Sequence, residues 1–306
     1  MTIISWTEAD DGARLRLPAK LNLFLEISGR RDDGFHELTT LMVPIDLCDE
    51  LHVRELAGGS DRLDVVGFEA GANDDNLVMQ ALRLAREYGD IPPLAMTLHK
   101  RVPAGAGLGG GSSDAAGVLK FLHARYPSSR DRDLSADAAQ LGSDVPFFLG
   151  DGAAIATGRG ECITPFPGTL FGDDKVVFAL ILPALHSSSA AAYGHVTLPL
   201  TSPDGPISFH PRLFTKSRTW VSALFNRLEY AVLASHSKLQ SLARWLDHKV
   251  AGRWRMTGSG SGFFVVCDSE PEAHALIEGA SREPALNSLN VSGVVARPVC
   301  GSVTTS

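Results

Sequence analysis

The sequence predicts an α+β fold in two domains, residues 1–168 and 169–306. Three observations carry that prediction. A stretch at 14–28, RLRLPAKLNLFLEIS, alternates with period two as a strand does. A glycine-rich run at 105–111 opens a helix, and a stretch of turn formers at 164–174, TPFPGTLFGDD, separates these elements from a second set of strands and helices. With 306 residues, of which 44% are hydrophobic, the chain can fill two cores of ordinary size.

In the strand at 14–28, Leu21, Leu23, Leu25 and Ile27 fall on one face and Lys20 and Asn22 on the other. A polar loop, GRRDDGFH, leads to extended segments around 38–46, 51–56, 62–66 and 94–100. A helix is expected at 76–88, with Asp75 as its N-cap, Leu77, Val78, Ala81, Leu82 and Ala85 as its apolar stripe, and Gly89 just past its end. The glycine run then starts a helix whose Val118, Leu119, Leu122 and Tyr126 share a face until Pro127. A short helix at 136–141, capped by Ser135, ends at Gly142 and exposes Gly142-Ser143-Asp144-Val145-Pro146-Phe147-Phe148. Beyond the turn formers come an apolar strand from Val176 to Leu182 and helices near 218–233 and 236–248. The cluster Gly258 to Gly262 precedes Phe263-Phe264-Val265-Val266, followed by a helix near 271–279 and a last strand at 291–298. This order suggests helices packed on an antiparallel sheet.

The segment PAGAGLGGGSSDAA, Pro103 to Ala116, is the most informative part of the chain. Glycine lets backbone approach a ligand closely, and N–H groups gathered before a helix N-terminus bind anionic oxygens. A flexible linker is disfavoured by Leu108 inside the run, Pro103 before it and the periodic helix after it. Gly105, Gly107 and Gly110 satisfy G-x-G-x-x-G, but no acidic residue closes a second strand at the required distance, where the polar run Ser128 to Asp133 stands instead. No Gly-Lys-Ser/Thr ends the loop, so it is not the P-loop of NTPases either. A phosphate cradle remains.

A net charge of −7 argues against nucleic acid as a partner. Cys48, Cys162, Cys267 and Cys300 are widely spaced with no C-x-x-C pair, which fits a reducing cytoplasm rather than a disulfide or zinc framework. The acidic start, MTIISWTEADDG, is unlike a secretory leader, and the longest apolar run, Val176 to Ala184, is too short to span a membrane. The sequence says nothing of oligomeric state.

Phosphoryl transfer needs charge neutralisation and an oriented acceptor. Lys20, on an otherwise leucine-rich strand, suits that charge, and equally suits the protection of an edge strand. Asp144, set between Gly142-Ser143 and Val145-Pro146-Phe147-Phe148, suits a proton acceptor near apolar surface, but taken alone it is more often a turn or N-cap aspartate. Asp114 suits the first turn of the loop's helix. Gly258 to Gly262 suits either a substrate approach or a hairpin turn.

Pro18-Ala19-Lys20-Leu21-Asn22-Leu23, PAGAGLGGGSSDAA and TGSGSG occur in the order and spacing of the three motifs of the galactokinase, homoserine kinase, mevalonate kinase and phosphomevalonate kinase (GHMP) superfamily. The chain resembles that family from about Leu17 into the last strand. Asp33-Gly34-Phe35-His36-Glu37-Leu38 and Gly142 to Phe148 resemble its branch that takes a cytidine-diphosphate-linked alcohol. The resemblance implies the two-domain GHMP kinase fold, with an N-terminal ribosomal-protein-S5-domain-2-like domain and a C-terminal ferredoxin-like α/β sandwich. It implies ATP as donor, Mg²⁺ bridging its phosphates, and a small-molecule acceptor, with neither nucleic acid nor membrane as partner. Lys20 and Asp144 would be the catalytic pair. Pro103, Ala104, Gly105, Ala106, Gly107, Leu108, Gly109, Gly110, Gly111, Ser112 and Ser113 would hold the ATP phosphates, with Asn76 and Lys100 near adenine. Phe35 and Tyr193 would sandwich cytosine, His36 would bond its polar edge, and Asn22 would touch the acceptor.

The chain departs from the family at Pro183-Ala184-Leu185-His186-Ser187-Ser188-Ser189, where Pro-Gly usually precedes a Ser/Thr-rich turn, and at Ser261-Gly262-Phe263 in the third motif. Other readings are a homoserine-, mevalonate- or sugar-type acceptor, or a non-catalytic metabolite-sensing module on the same fold.

Overall fold

The computed structural model describes residues 3–9, 11–68, 76–126, 133–185, 189–194, 196, 207–217 and 219–299. The strands are β1 (Ser5–Ala9), β2 (Gly12–Arg30), β3 (His36–Glu55), β4 (Arg62–Gly67), β5 (Leu94–Lys100), β6 (Ala154–Thr157), β7 (Cys162–Pro165), β8 (Val177–Leu182), β9 (Phe225–Asn226), β10 (Trp254–Met256), β11 (Phe263–Cys267) and β12 (Ser292–Ala296). The helices are α1 (Leu77–Arg86), α2 (Gly110–Arg125), α3 (Leu134–Leu141), α4 (Val145–Leu149), α5 (Ser189–Gly194), α6 (Arg227–Ser235), α7 (Ser237–Val250) and α8 (Glu270–Arg282).

The first sheet runs β1-β2-β3-β5-β4, with β6 and β7 added beyond the far half of β3 and β9 beside β2. The second is the antiparallel sheet β10-β11-β8-β12. This is the expected α+β architecture. The odd positions of β2 supply three apolar clusters in turn. Leu15 and Leu17 pack with helices α1, α2 and α4, Ala19, Leu21 and Leu23 pack between the two sheets, and Leu25 and Ile27 join the core under α6 and α7.

Several local expectations change. The segments at 38–46 and 51–56 form one strand, β3, which follows β2 through three register shifts, one of them at Pro18/Ala19 where an imide cannot donate. β2 is central rather than an edge, and Lys20 and Asn22 are buried, so edge protection does not explain Lys20. Asp75 lies outside the described residues. Asn76 is the residue that caps α1, its Oδ1 accepting from Val78 N at 2.9 Å. Asp133, not Ser135, caps α3, because its carboxylate reaches the Ser135 amide. The helix expected at 218–233 is divided into a 3-10 turn at Thr219–Ala223, β9 and α6. Asn226 causes the break: it is extended, caps α6, and donates through Nδ2 to Met256 O and Gly258 O. No helix among the described residues is long and apolar enough to cross a membrane.

Candidate active site

A cavity of about 1050 Å³ opens between the glycine loop, the middle of β2, the start of β3, α5 and the β10–β11 connection. The loop's polarity is sorted by its neighbours. Gly105 O accepts from Ser261 N, Ala106 O from Gly262 N, Gly107 O from Thr257 Oγ1, Leu108 O from Lys20 N and Gly109 O from Ser113 N. Every carbonyl from 105 to 109 is thus engaged by protein, and among the described residues none takes the N–H groups of the same five positions. Gly107 needs its missing side chain, because φ is +72° and a Cβ would stand 2.0 Å from Thr257 O. Gly109, also at φ +72°, starts α2 with no side-chain cap, so first-turn amides are left for a ligand. Gly258 to Gly262 is therefore both the β10–β11 turn and the strap that holds the first loop.

Pro103, Ala104, Gly105, Gly107, Leu108, Gly109, Gly110, Gly111 and Ser112 line the cavity. Ala106 is buried facing the second sheet, and Ser113 is buried with its Oγ unpartnered.

Lys20 enters from β2 and is 3% exposed. Its Nζ donates to Asn22 Oδ1 at 2.6 Å and stands 3.3 Å from Asp144 Oδ2. Asn22 is fixed in turn, donating from Nδ2 to Thr40 Oγ1 at 2.8 Å and from its amide to Thr257 Oγ1 at 3.1 Å. Asp144 precedes α4 at its N-cap position but its carboxylate caps nothing. The Asp144 side chain is 37% exposed, and the ammonium is the buried member of the pair. The short helix behind it turns Phe147 and Phe148 into the core and leaves the acid at the cavity wall.

Beneath the loop lies a charge cluster that the sequence did not reveal. Lys100 lines the cavity, yet its ammonium bonds Asp49 Oδ2 and Asp114 Oδ2, the latter at 2.7 Å. Asp49 is fully buried and its Oδ1 accepts from Arg101 N at 2.6 Å and Val102 N at 2.8 Å, which sets the chain leading into the loop. Asp114 therefore pairs with Lys100 and does not cap α2. Burial pushes the Asp114 carboxyl up to about 7, with Lys100 opposing the rise and Asp49 adding to it. Burial also disfavours the Lys100 charge, but the two carboxylates outweigh it and hold that pKa above its ordinary value. Asn76 lines the same region.

At the opposite end stand Phe35, His36 and Tyr193. Phe35 is 49% exposed and lines the cavity. Tyr193 stacks on His36, with ring centroids 5.4 Å apart and planes 23° from parallel, while the Arg159 guanidinium lies over Phe35 at 5.2 Å. Burial, then the Asp144 charge, raises the Tyr193 phenol above its ordinary pKa. Burial, then Arg30, lowers that of His36, which favours the neutral imidazole.

These two ends, joined by a lysine and an acid, describe a kinase for a small molecule, and the family model for the GHMP kinases N terminal domain matches residues 76–152. A solved structure described as 4-(cytidine 5'-diphospho)-2C-methyl-D-erythritol kinase superposes with a TM-score of 0.75 at 31% identity, covering 94% of this chain and all of that one. The mevalonate kinase of Methanococcus jannaschii shares the fold, with a TM-score of 0.57 at 16% identity over 95% of this chain and 99% of that one. A 4-diphosphocytidyl-2-C-methyl-D-erythritol kinase of Porphyromonas gingivalis is 36% identical, over 83% of this chain and 92% of its own length. One of Deinococcus radiodurans is 37% identical, over 84% and 85%. The chain is a GHMP kinase, and within that class it belongs to the 4-diphosphocytidyl-2-C-methyl-D-erythritol kinase family.

Proposed function

We propose that this chain transfers the γ-phosphoryl group of ATP to the 2-hydroxyl of 4-diphosphocytidyl-2-C-methyl-D-erythritol, a step of the non-mevalonate isoprenoid pathway carried out in the cytoplasm. The observation that carries the reading is the loop from 105 to 109, whose carbonyls are all bonded away while its amides are left over, next to a buried lysine 3.3 Å from an aspartate. The amides and the N-terminus of α2 hold the phosphates, and Asn76 with the Lys100 strand end borders adenine. Phe35, His36 and Tyr193 receive the cytosine, and Asn22 orients the acceptor beside Lys20.

Asp144 takes the proton of the acceptor hydroxyl as its oxygen bonds to the γ-phosphorus, and the bond to the ADP oxygen breaks. Lys20 stabilises the charge on the phosphoryl oxygens during transfer; removing one such donor typically costs on the order of 100- to 1000-fold in rate. Magnesium fits the donor set. Ser113 offers a buried unpartnered hydroxyl at the loop's helix, the hard oxygen donor that such an ion takes. When bound, the ion neutralises phosphate charge, and Ser113 is the residue that would hold it.

The test is Asp144→Asn. Turnover is expected to fall at least about a hundredfold, since a positioned base contributes roughly that much, while ADP binding survives. Unchanged turnover sinks the assignment. A homoserine-, mevalonate- or sugar-type acceptor gains no support from solved kinases that share the fold at 12–16% identity. The pairing of Lys20 with Asp144 speaks against a sensor without catalysis.

A further inference from the structure

The acceptor reading leaves one part of the substrate without a partner, its diphosphate. A diphosphate joining two alcohols carries two negative charges, and a chain of net charge −7 must meet them with fixed local cations. Four Lys and Arg side chains among the described residues line the cavity: Lys20, Arg30, Lys100 and Arg159. Two are already engaged. Lys20 holds Asn22 and Asp144, and Lys100 holds Asp49 and Asp114.

Arg30 ends β2 and pairs in register with His36, the first residue of β3. Its side chain is exposed and no described residue bonds the guanidinium. Arg159 stands in the turn between β6 and β7. Its Nη2 donates to Ala139 O at 2.9 Å and its Nε lies 3.8 Å from Glu161 Oε1, which leaves Nη1 with no described partner. Asp33, whose carboxylate feels Arg159, is bonded to Arg31 at 3.1 Å. The guanidinium rests over Phe35, and the next residue, Gly160, lies against Ser143 and Asp144, where a Cβ would come 4.0 Å from Asp144 Oδ1. One turn therefore spans from the aromatic end to the transfer end. A diphosphate linking a base to an alcohol must cross that interval.

We propose that Arg30 and Arg159 form the acceptor's diphosphate subsite, one from the rim of β2 and one from the β6–β7 turn. The proposal rests on the acceptor reading above. It makes these two arginines specificity residues, selecting a nucleotide-linked alcohol over a bare one, with no part in the proton transfer.

The test is a binding titration with the donor site filled by ADP and magnesium, using cytidine and cytidine diphosphate as probes. Wild type is expected to bind the diphosphate more tightly than the nucleoside. Arg159→Gln and Arg30→Gln should each reduce that preference about tenfold, the loss expected for one charge-assisted hydrogen bond, and the double variant should abolish it. Cytidine affinity stays constant, and Arg159→Lys recovers part of the preference. A preference unchanged in the double variant overturns the assignment. So does a parallel fall in cytidine affinity, which would make Arg159 a support for Phe35 alone. Failure of wild type to bind either probe is a separate result, and it overturns the acceptor reading together with the subsite.

Discussion

Removing Asp49 tests whether the cluster under the loop shapes the donor site. Asp49→Ala deletes an acceptor fully buried between three donors: the amides of Arg101 and Val102, and the Lys100 ammonium. Each stranded amide costs about 1–2 kcal/mol. Lys100 keeps Asp114, so its loss is smaller than that of an isolated buried charge, and the total comes to about 3–5 kcal/mol, as for removing one partner of a buried pair. A change of that size lowers Tm by roughly 6–20 °C, at about 2–4 °C per kcal/mol. Thermal melts followed by ADP titration with magnesium form the assay, because freeing the Val102 amide should also loosen the chain that leads into the loop and weaken nucleotide binding. Asp49→Asn keeps an acceptor for the amides and should recover part of both losses. A variant Asp49→Ala that melts within about 1 °C of wild type and binds ADP equally well would refute the reasoning.

Gly107→Ala places a methyl 2.0 Å from Thr257 O at a φ of +72°, which alone costs about 1–2 kcal/mol for alanine; ADP affinity should drop about tenfold or more, and an unchanged titration would show that the strap does not set the loop. Glu229, half-buried on α6 with its Oε2 accepting from Met256 N, is raised by desolvation to about 7 against the opposing amide bond. Its unfolded value is about 4.3, so the stability it contributes is complete below that pH and is lost as pH rises through about 7. Glu229→Gln should therefore melt higher relative to wild type at pH 8 than at pH 5, and equal differences at the two pH values would contradict this sign.

What the sequence showed was what is local. The glycine loop, its helix and the alternation of β2 need only short-range pattern, and the loop and β2 lie where that pattern put them. The family resemblance then marked Lys20, Asp144, Phe35, His36 and Tyr193, and the structure brings all five to one cavity. The rest depends on partners far along the chain. Asp49 falls between two expected strands and carries no motif, and its tie to Lys100 spans 51 residues. Asn226 breaks an apparently helical stretch to hold carbonyls at 256 and 258, at separations of 30 and 32 residues. Arg159 carried no motif, and only the fold of β6 and β7 lays it over Phe35. Asp144 shows the limit from the other side, since its apolar neighbours in sequence turn inward and leave the acid toward solvent.

Three of the five groups that occupy the glycine loop's oxygens belong to residues 257–262, at the far end of the polypeptide. Left to itself the loop would offer oxygens and amides alike, and an anion would meet repulsion as readily as attraction. On the proposed reading, grip on the donor is thus not a possession of the first half that recombination could move by itself. A chimera that exchanges the second half with a relative must bring along a strap matched to the first loop, or it will inherit the glycines without their selectivity for phosphate.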